Sequence, residues 1–192
     1  MSNTLVVYAH PNKEGHCGSI LRNVEKILTS KNVVYKVIDL YEIGYDPVLK
    51  PTEHYTSGHK EVSEQNKNFQ NDIKNAEKII FIYPTWWQNM PAILKGFIDR
   101  VFVAGFAYMY EDKLPVGLLT GKKAVIFTTT GASRLITKLF MKDTSTKVLA
   151  KYILGFCGIK TNVFYLPEAQ RYTPEKEPSI RALVEKGLAN LI

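Results

Sequence analysis

Short apolar segments alternate with helical patterns along this chain, and this alternation limits the possible folds more than any other feature. Strands are predicted for residues 5–9, 33–40, 78–83, 123–128 and 161–166. Helices are predicted for residues 18–29, 60–75, 92–100, 144–154 and 179–191. Because helical crossovers join the strands, we expect a parallel sheet with helices covering both of its faces.

The length of the chain suits one domain. Its 192 residues can bury one substantial core, and no internal repeat or low-complexity tract divides it. With right-handed crossovers, the strands favour the flavodoxin-like, doubly wound α/β arrangement, a five-stranded parallel sheet in the order 2-1-3-4-5. We therefore predict a single domain over residues 1–192, with residues 41–60 as an irregular surface loop.

Charge and cysteine content argue against several functions. The net charge is +7, but the lysines are scattered, and no basic stripe with interleaved aromatic residues indicates nucleic-acid binding. Cys17 and Cys157 form neither a metal-spaced cluster nor a Cys-x-x-Cys pair, so no metal site is predicted. Cys17 lies near a helix start, where a thiolate would be favoured, but no base partner is evident.

A cytoplasmic location is expected from two features of the sequence. No apolar segment approaches the roughly 20 residues that a membrane span requires. No basic segment precedes the first apolar run, so a signal peptide is not predicted.

Two adjacent tryptophans, Trp86 and Trp87, follow the predicted third strand. In open α/β sheets, ligands bind outside the carboxyl ends of the strands, where this loop lies. Both rings cannot face the core from one tight loop, so at least one is expected to line a site for a flat ligand. The alternative is that both rings simply cover the end of the sheet.

The loop after the first strand leads into a helix start, where free N–H groups and the helix dipole favour a phosphate. Gly15 and Gly18 allow close backbone approach, Ser19 offers a hydroxyl donor, and His10 and His16 could add charged hydrogen bonds. The alternative is an ordinary capped helix with surface histidines. Neither the dinucleotide Gly-x-Gly-x-x-Gly pattern nor the Walker pattern is present.

The loop after the fourth strand offers the hydroxyls of Thr129 and Thr130 and the N–H groups of Gly131 and Ala132. Alone, it would be a plain strand-to-helix turn. Because the strands are parallel, this loop, the helix start and the tryptophan loop meet at one edge of the sheet. Phosphate donors, a flat apolar wall and a hydrogen-bonding edge together describe a site for a mononucleotide with a large ring, which a flavin fits.

Further motifs point to a family. The specific block is Pro-Ala-Ile-Leu-Lys-Gly-Phe at residues 91–97 with Gly-Phe-Ala-Tyr at residues 105–108. Additional short motifs lie at residues 8–11, 39–41, 99–102, 121–124 and 129–131. Over nearly the whole chain, these motifs resemble the NAD(P)H:quinone oxidoreductases, a family that includes ancillary flavoproteins of potassium efflux systems. The resemblance implies a homodimer that binds FMN or FAD, takes a hydride from NAD(P)H and passes two electrons to a quinone.

The resemblance also implies roles for single residues. Those expected to bind the flavin are His10, Gly15, His16 and Cys17 at the phosphate, Pro84, Thr85, Trp86, Trp87 and Gln88 at the ring, and Thr129, Thr130, Gly131 and Ala132 at its pyrimidine edge. Tyr108 and Tyr110 would be the catalytic residues and line the substrate slot, reaching across the dimer interface. NAD(P)H and the quinone would use that slot in turn, which is a ping-pong mechanism.

Two departures from the mammalian members bear on the chemistry. Those members carry a tyrosine and a histidine after the Thr-Thr-Gly loop, whereas residues 134–142 contain neither, which puts the proton donor or the quinone acceptor in doubt. The chain also lacks their C-terminal extension, which favours FMN, although short relatives can hold FAD. Two alternatives stay open. One is a regulatory flavoprotein that contacts a membrane transporter, and the other is a one-electron carrier, which the basic charge disfavours.

Overall fold

The computed structural model describes residues 3–54, 61–139, 144–189 and 191. The strands are β1 (Thr4–Tyr8), β2 (Tyr35–Asp39), β3 (Lys78–Pro84), β4 (Tyr108–Glu111), β5 (Leu114–Gly117), β6 (Lys123–Thr129) and β7 (Lys160–Leu166). The α-helices are α1 (His16–Ser30), α2 (Glu64–Asn75), α3 (Ala92–Val101), α4 (Arg134–Leu139), α5 (Thr144–Lys147) and α6 (Glu177–Leu188). Short 3₁₀ turns lie at Pro51–Glu53 and Pro174–Lys176, and a π-helical segment, Val148–Leu154, continues α5.

The main sheet is parallel, with its strands in the order β2-β1-β3-β6-β7. Since β6 and β7 are the fourth and fifth strands of this sheet along the chain, the predicted order 2-1-3-4-5 is confirmed. Tyr8 lies in register with Ile82, and Tyr83 with Thr128. The carboxyl ends of β1, β3 and β6 are therefore neighbours at one edge of the sheet.

Two apolar layers cover the faces of the sheet. Val7 and Phe81 belong to the layer that includes side chains of α2 and α3. Val6 and Ile80, one position earlier on each strand, belong to the layer that includes side chains of α1 and α6. Because alternate residues of a strand point to opposite faces, burial on both faces explains why these strands are apolar throughout.

Several element boundaries differ from the prediction for local reasons. Helix α1 begins at His16, two residues earlier than predicted, because Gly15 supplies its extended N-cap. Helix α2 begins at Glu64, where Ser63 Oγ accepts a hydrogen bond from the Asn66 N–H. Strand β2 begins only at Tyr35, because the chain leaves α1 through Asn32, whose φ is 53°.

The segment after α3 contains a hairpin that periodicity did not predict. Strands β4 and β5 pair antiparallel, and the turn between them places Asp112 and Lys113 at φ of 47° and 67°. Two-residue hairpin turns require positive φ, and a Gly or Asn in the turn is the usual sequence signal for it. The absence of that signal explains why the hairpin escaped prediction.

The long segment before α2 is anchored rather than loose. Arg100 donates hydrogen bonds of 2.8 Å to both carboxylate oxygens of Glu53 and also bonds the Asp46 carbonyl. Residues 55–60 of the predicted loop lie outside the described residues. Within the described ranges, no helix is both long and apolar enough to cross a membrane.

Candidate functional site

A cavity of about 470 Å³ opens at the sheet edge where β1, β3 and β6 end. The predicted site residues on its walls are His10, Gly15, His16, Cys17, Pro84, Thr85, Trp86, Thr129, Thr130 and Gly131. Trp87, Gln88 and Ala132 lie on the same loops but do not line this cavity. The topology therefore brings residues from all three predicted loops around one space.

The His10 ring is held by backbone at the start of the first loop. His10 Nδ1 lies 3.0 Å from the Asn12 N and 2.7 Å from the Asn12 carbonyl oxygen. Asn12 in turn accepts a 2.7 Å hydrogen bond from the Glu14 N–H through its side chain, which tightens the turn before α1. Burial lowers the pKa of His10, so the ring is mainly neutral at pH 7.

His16 is the first residue of α1 and is 7% exposed. Its ring packs edge-on against Tyr172, with 5.3 Å between ring centroids and an interplanar angle of 81°. Nε2 is buried and has no hydrogen-bond partner among the described residues. Burial, followed by the nearby charge of Lys176, lowers the pKa of His16. The ring thus offers a desolvated nitrogen beside the cavity, and no residue of the described ranges bonds it.

The two glycines of the first loop play different roles. A Cβ on Gly15 would meet no atom within 4 Å, so the backbone beside the cavity is open to a ligand. A Cβ on Gly18 would lie 1.7 Å from the Lys13 carbonyl oxygen. Gly18 is therefore required for the close packing of the loop on the helix, and not, as predicted, for approach to a phosphate.

The Ser19 hydroxyl does not serve the predicted role either. It donates a 2.6 Å hydrogen bond to Glu177 Oε2 and is fully buried. The prediction failed because Ser19 sits one turn into α1, on the side that packs against α6. Sequence proximity to the helix start did not reveal this orientation.

The two tryptophans are separated by a tight turn. Trp86 and Asn89 exchange two backbone hydrogen bonds of 2.9 Å, and between them Trp87 and Gln88 have φ of 50° and 59°. Such a turn points successive side chains apart. Trp86 lines the cavity, with its ring centroid 6.1 Å from that of His10, whereas Trp87 is fully exposed to solvent.

Thr129 connects the third loop to the other two. Its carbonyl oxygen accepts a 2.7 Å hydrogen bond from the Thr85 N–H, and its hydroxyl lies 3.7 Å from Cys17 Sγ. Burial raises the pKa of Cys17 to about 12, and the contact with Thr129 offsets this only in part. The thiolate suggested by the helix start is therefore disfavoured, because desolvation outweighs the helix dipole.

A fourth wall of the cavity was not predicted. It consists of residues Ala169, Gln170, Arg171 and Tyr172, which follow β7. The Ala169 N–H donates to the Thr130 carbonyl at 2.9 Å, and the Gln170 side chain bonds the Gly131 carbonyl. The rule that ligands bind at the carboxyl ends of strands could have pointed to this loop, because the fifth strand was predicted.

Tyr108 and Tyr110 lie on β4, at a second cavity of about 450 Å³. Among the described residues, none lines both this cavity and the first. The Tyr108 ring packs against Phe156 at 5.0 Å and against Tyr110 at 5.9 Å between centroids. Tyr152 also lines this second cavity. The predicted catalytic tyrosines therefore stand apart from the predicted flavin-binding residues within one chain.

Comparisons with known proteins decide the family. Residues 2–191 match a family described by its flavodoxin-like fold. A Haemophilus influenzae protein named as an uncharacterized NAD(P)H oxidoreductase is 35% identical over 166 residues, covering 85% of this chain and 82% of that protein. A Bacillus cereus protein named FMN-dependent NADH:quinone oxidoreductase 3 is 31% identical over 131 residues, covering 68% of this chain and 60% of that protein. The chain belongs to the NAD(P)H:quinone oxidoreductase family.

A solved structure has the same fold as this chain. The crystal structure of Smu.1420 from Streptococcus mutans UA159 is 35% identical in sequence and has a TM-score of 0.87. The alignment covers 98% of this chain and 100% of the other. The sheet and the loops that surround the first cavity thus belong to an architecture seen by experiment.

The residues of the first cavity fit the flavin mononucleotide that a quinone oxidoreductase of this kind would carry. The open backbone at Gly15 and the unpartnered Nε2 of His16 lie together at the start of α1. The first-turn N–H groups of a helix have no partner within the helix, so this end of the cavity suits a phosphate. Trp86 supplies an apolar wall, and Thr130 supplies a hydroxyl at the opposite loop.

Proposed function

We propose that the protein is a flavin-dependent NAD(P)H oxidoreductase that binds FMN and passes two electrons to quinones or similar flat acceptors. The observation that carries the proposal is the first cavity, where a helix start, a tryptophan and a threonine loop share one space. The helix start holds a buried histidine whose Nε2 has no hydrogen-bond partner in the part of the chain that the structure describes. A bound flavin supplies reversible two-electron chemistry, accepting a hydride from a reduced nicotinamide and passing electrons to an acceptor.

At the phosphate end, the protein groups are His10, His16 and the backbone from Gly15 to Cys17. Both histidines have a lowered pKa in the free protein, so they carry little charge of their own at pH 7. A dianionic phosphate would favour their protonated forms. We assign the phosphate of FMN to this end.

At the ring end, Pro84, Thr85 and Trp86 would flank the isoalloxazine, and Thr129 to Gly131 would face its pyrimidine edge. The Thr85 N–H is committed to the Thr129 carbonyl at 2.7 Å, which holds the two loops at a fixed separation. The N–H groups of Trp87 and Gln88 at the turn remain predicted contacts. The Ala132 N–H, also predicted to face the ring, instead donates to Thr130 Oγ1 at 3.3 Å. Fixed dipoles facing the ring would tune its potential and exclude water from it.

FMN is proposed over FAD because a relative named as FMN-dependent is 31% identical to this chain over 131 residues. Either NADH or NADPH could be the donor. The proton donor has to be sought among residues of this chain or water, since the mammalian tyrosine and histidine have no counterpart at residues 134–142.

Tyr108 and Tyr110 would complete the substrate slot in a homodimer, in which each chain presents them to the flavin of its partner. Within one chain these rings lie at the second cavity, away from the first, and Tyr110 is 54% exposed. The fully exposed Trp87 lies on the flavin loop and would also be covered by a second copy. One slot would then take NAD(P)H and the quinone alternately, because each must stack on the same ring face.

The decisive experiment is an absorbance spectrum of the purified protein, with mass determination of any flavin released by heat. We expect a flavin spectrum, FMN in the supernatant, and bleaching by NADH or NADPH that menadione reverses. Initial rates at several fixed menadione concentrations should give parallel double-reciprocal lines. A protein that neither retains nor takes up a flavin would refute the proposed function. Intersecting lines would refute the shared slot alone.

A further inference from the structure

The carboxylate of Glu177, at the start of α6, collects three hydrogen bonds beside the phosphate end of the first cavity. Ser19 Oγ donates to Oε2 at 2.6 Å, Asn23 Nδ2 donates to Oε1 at 2.9 Å, and the Tyr172 hydroxyl donates to Oε2 at 3.1 Å. Ser19 and Asn23 lie one turn apart on α1, and Tyr172 belongs to the loop after β7. One carboxylate thus joins three separate elements.

The donors make Glu177 a charged acceptor. The Ser19 hydroxyl is the main cause that holds the pKa of the Glu177 carboxyl below its ordinary value, and Asn23 and Tyr172 act in the same direction. An ionised carboxylate is the better acceptor for all three groups, because protonation turns one oxygen into a donor and a weaker acceptor. These hydrogen bonds also spread the negative charge, which reduces its repulsion of a nearby phosphate.

Tyr172 links this carboxylate to the cavity. Its hydroxyl is held by Glu177, and its ring packs edge-on against the ring of His16 at 5.3 Å. His16 is 93% buried, and its Nε2 has no partner within the described part of the chain. Because no described residue bonds Nε2, the orientation of the His16 ring depends on packing, and Tyr172 is an aromatic neighbour.

We propose that Glu177 is a positioning residue for the phosphate end of the cavity, acting through Tyr172 to fix the orientation of the His16 ring. The carboxylate holds the tyrosine hydroxyl, the tyrosine ring holds the imidazole, and Nε2 stays available to a phosphate. The role rests on the proposed function in one respect, since the phosphate is that of FMN. The chain of contacts from Glu177 to His16 is a property of the protein alone.

A merely structural role would have a different signature. Losing a partly buried hydrogen-bond acceptor would destabilise the fold and weaken all ligands of the cavity alike. A positioning role acts on the phosphate, so FMN should suffer while riboflavin, which has the same ring and no phosphate, should not. The titration of His16 in the apoprotein reports its orientation without any flavin.

The test compares Glu177→Gln, Tyr172→Phe and the control Glu185→Gln, which changes an exposed carboxylate of the same helix. Tyr172→Phe keeps the ring and removes only the hydroxyl that Glu177 holds. This variant therefore still tests the positioning role if Glu177→Gln does not fold. We expect both site variants to raise the dissociation constant of FMN about tenfold, the scale of one hydrogen bond to a charged group. The constant for riboflavin should change less than about twofold, as expected for a contact outside the ring site.

The second measurement is the pKa of His16 by NMR in each apoprotein. It should move toward the ordinary histidine value in both site variants and stay unchanged in Glu185→Gln. Equal weakening of FMN and riboflavin, or a His16 titration identical to that of the wild type, would overturn the positioning role. If the wild type binds neither flavin, the proposed function fails, and the His16 titration alone then supports or overturns the link from Glu177 to His16.

Discussion

The two cavities of this protein are similar in size, about 470 and 450 Å³, but different kinds of residues line them. The first is formed by loops at the carboxyl ends of parallel strands, and buried polar groups such as Thr130 and His16 line it. The second is lined mainly by aromatic and aliphatic side chains of α3, the hairpin and the π-helical segment. Tyr152 and Tyr110 leave 62% and 54% of their surfaces in water there.

This difference separates a cavity whose walls one chain holds in place from a surface whose aromatic rings one chain leaves exposed. The loops of the first cavity are already joined by backbone hydrogen bonds, from Thr85 to Thr129 and from Ala169 to Thr130, so the site is preorganised for a small polar ligand. Large exposed rings at the second are typical of a surface that another molecule covers. We therefore expect changes at the first cavity to alter flavin affinity and changes at the second to alter assembly and turnover.

The largest effect is expected for Gly15→Asp at the first cavity. No atom would lie within 4 Å of the new Cβ, so the fold should tolerate the side chain, but its charge would face the phosphate. Repulsion between partly screened charges should weaken FMN about 100-fold. Fluorescence titration of the apoprotein would measure this, with Gly15→Asn as the uncharged control. If riboflavin weakens as much as FMN, the phosphate does not lie at Gly15.

Tyr152→Glu tests the second cavity. A carboxylate forced into an apolar interface is costly, so the dissociation constant of the proposed dimer should rise about 100-fold. Light scattering coupled to size exclusion would show a monomer. Val34→Glu is the matched control, because Val34 is 49% exposed and lines neither cavity. A wild type that is already monomeric at micromolar concentration would contradict the role of this cavity in assembly.

Tyr108→Ala should separate catalysis from flavin binding. We expect kcat/KM for both NAD(P)H and menadione to fall about tenfold, on the scale of one lost substrate contact, while FMN content stays at the wild-type level. Stopped-flow reduction and reoxidation would report the two half-reactions separately. An effect on one substrate only would argue against a shared slot.

The pH dependence of FMN affinity should show whether His16 contacts the phosphate at the first cavity. Burial holds the pKa of His16 below its ordinary value in the free site, and a bound phosphate should raise it. Binding of FMN then takes up a proton. The affinity is therefore strongest at low pH and falls as the pH rises from the pKa of His16 in the free site to its pKa with phosphate bound. The expected change is about threefold to tenfold. Because the titration of the phosphate is common to both proteins, the ratio of wild type to His16→Asn isolates the histidine. A pH-independent ratio would contradict its contact with the phosphate.

The smallest effect is expected for Trp87→Ala on the stability of the single chain. Trp87 is fully exposed, so the free energy of unfolding of the apoprotein should change by less than about 0.5 kcal/mol. Trp86→Ala removes a wall of the cavity and should weaken FMN more than Trp87→Ala does. Denaturant unfolding and flavin titration of the two variants would check this. A greater loss of flavin affinity in Trp87→Ala than in Trp86→Ala would place the flavin ring beside the turn at Trp87.

The predictable part of the site followed from topology. Once strands at residues 78–83 and 123–128 were identified by their apolar character, parallel pairing required that the loops after them meet, and the first cavity contains both. The loop at Ala169 to Tyr172 follows the fifth strand in the same way, but it carries no Gly-rich or aromatic-pair motif to draw attention. The roles predicted for Gly18 and Ser19 were wrong. They depended on which side of α1 faces α6 and on where the Lys13 backbone packs against α1.

The sequence alone determined the fold class, the strand order and the loops that surround the first cavity, because strand and helix periodicities and crossover handedness are local or general rules. Only the tertiary structure decided which groups remain free for a ligand. It joined Ser19, Asn23 and Tyr172 on Glu177, turned Trp87 away from Trp86, and raised the pKa of the Cys17 thiol by burial. Hydrogen bonding and desolvation depend on neighbours distant in sequence, so no local pattern could reveal them.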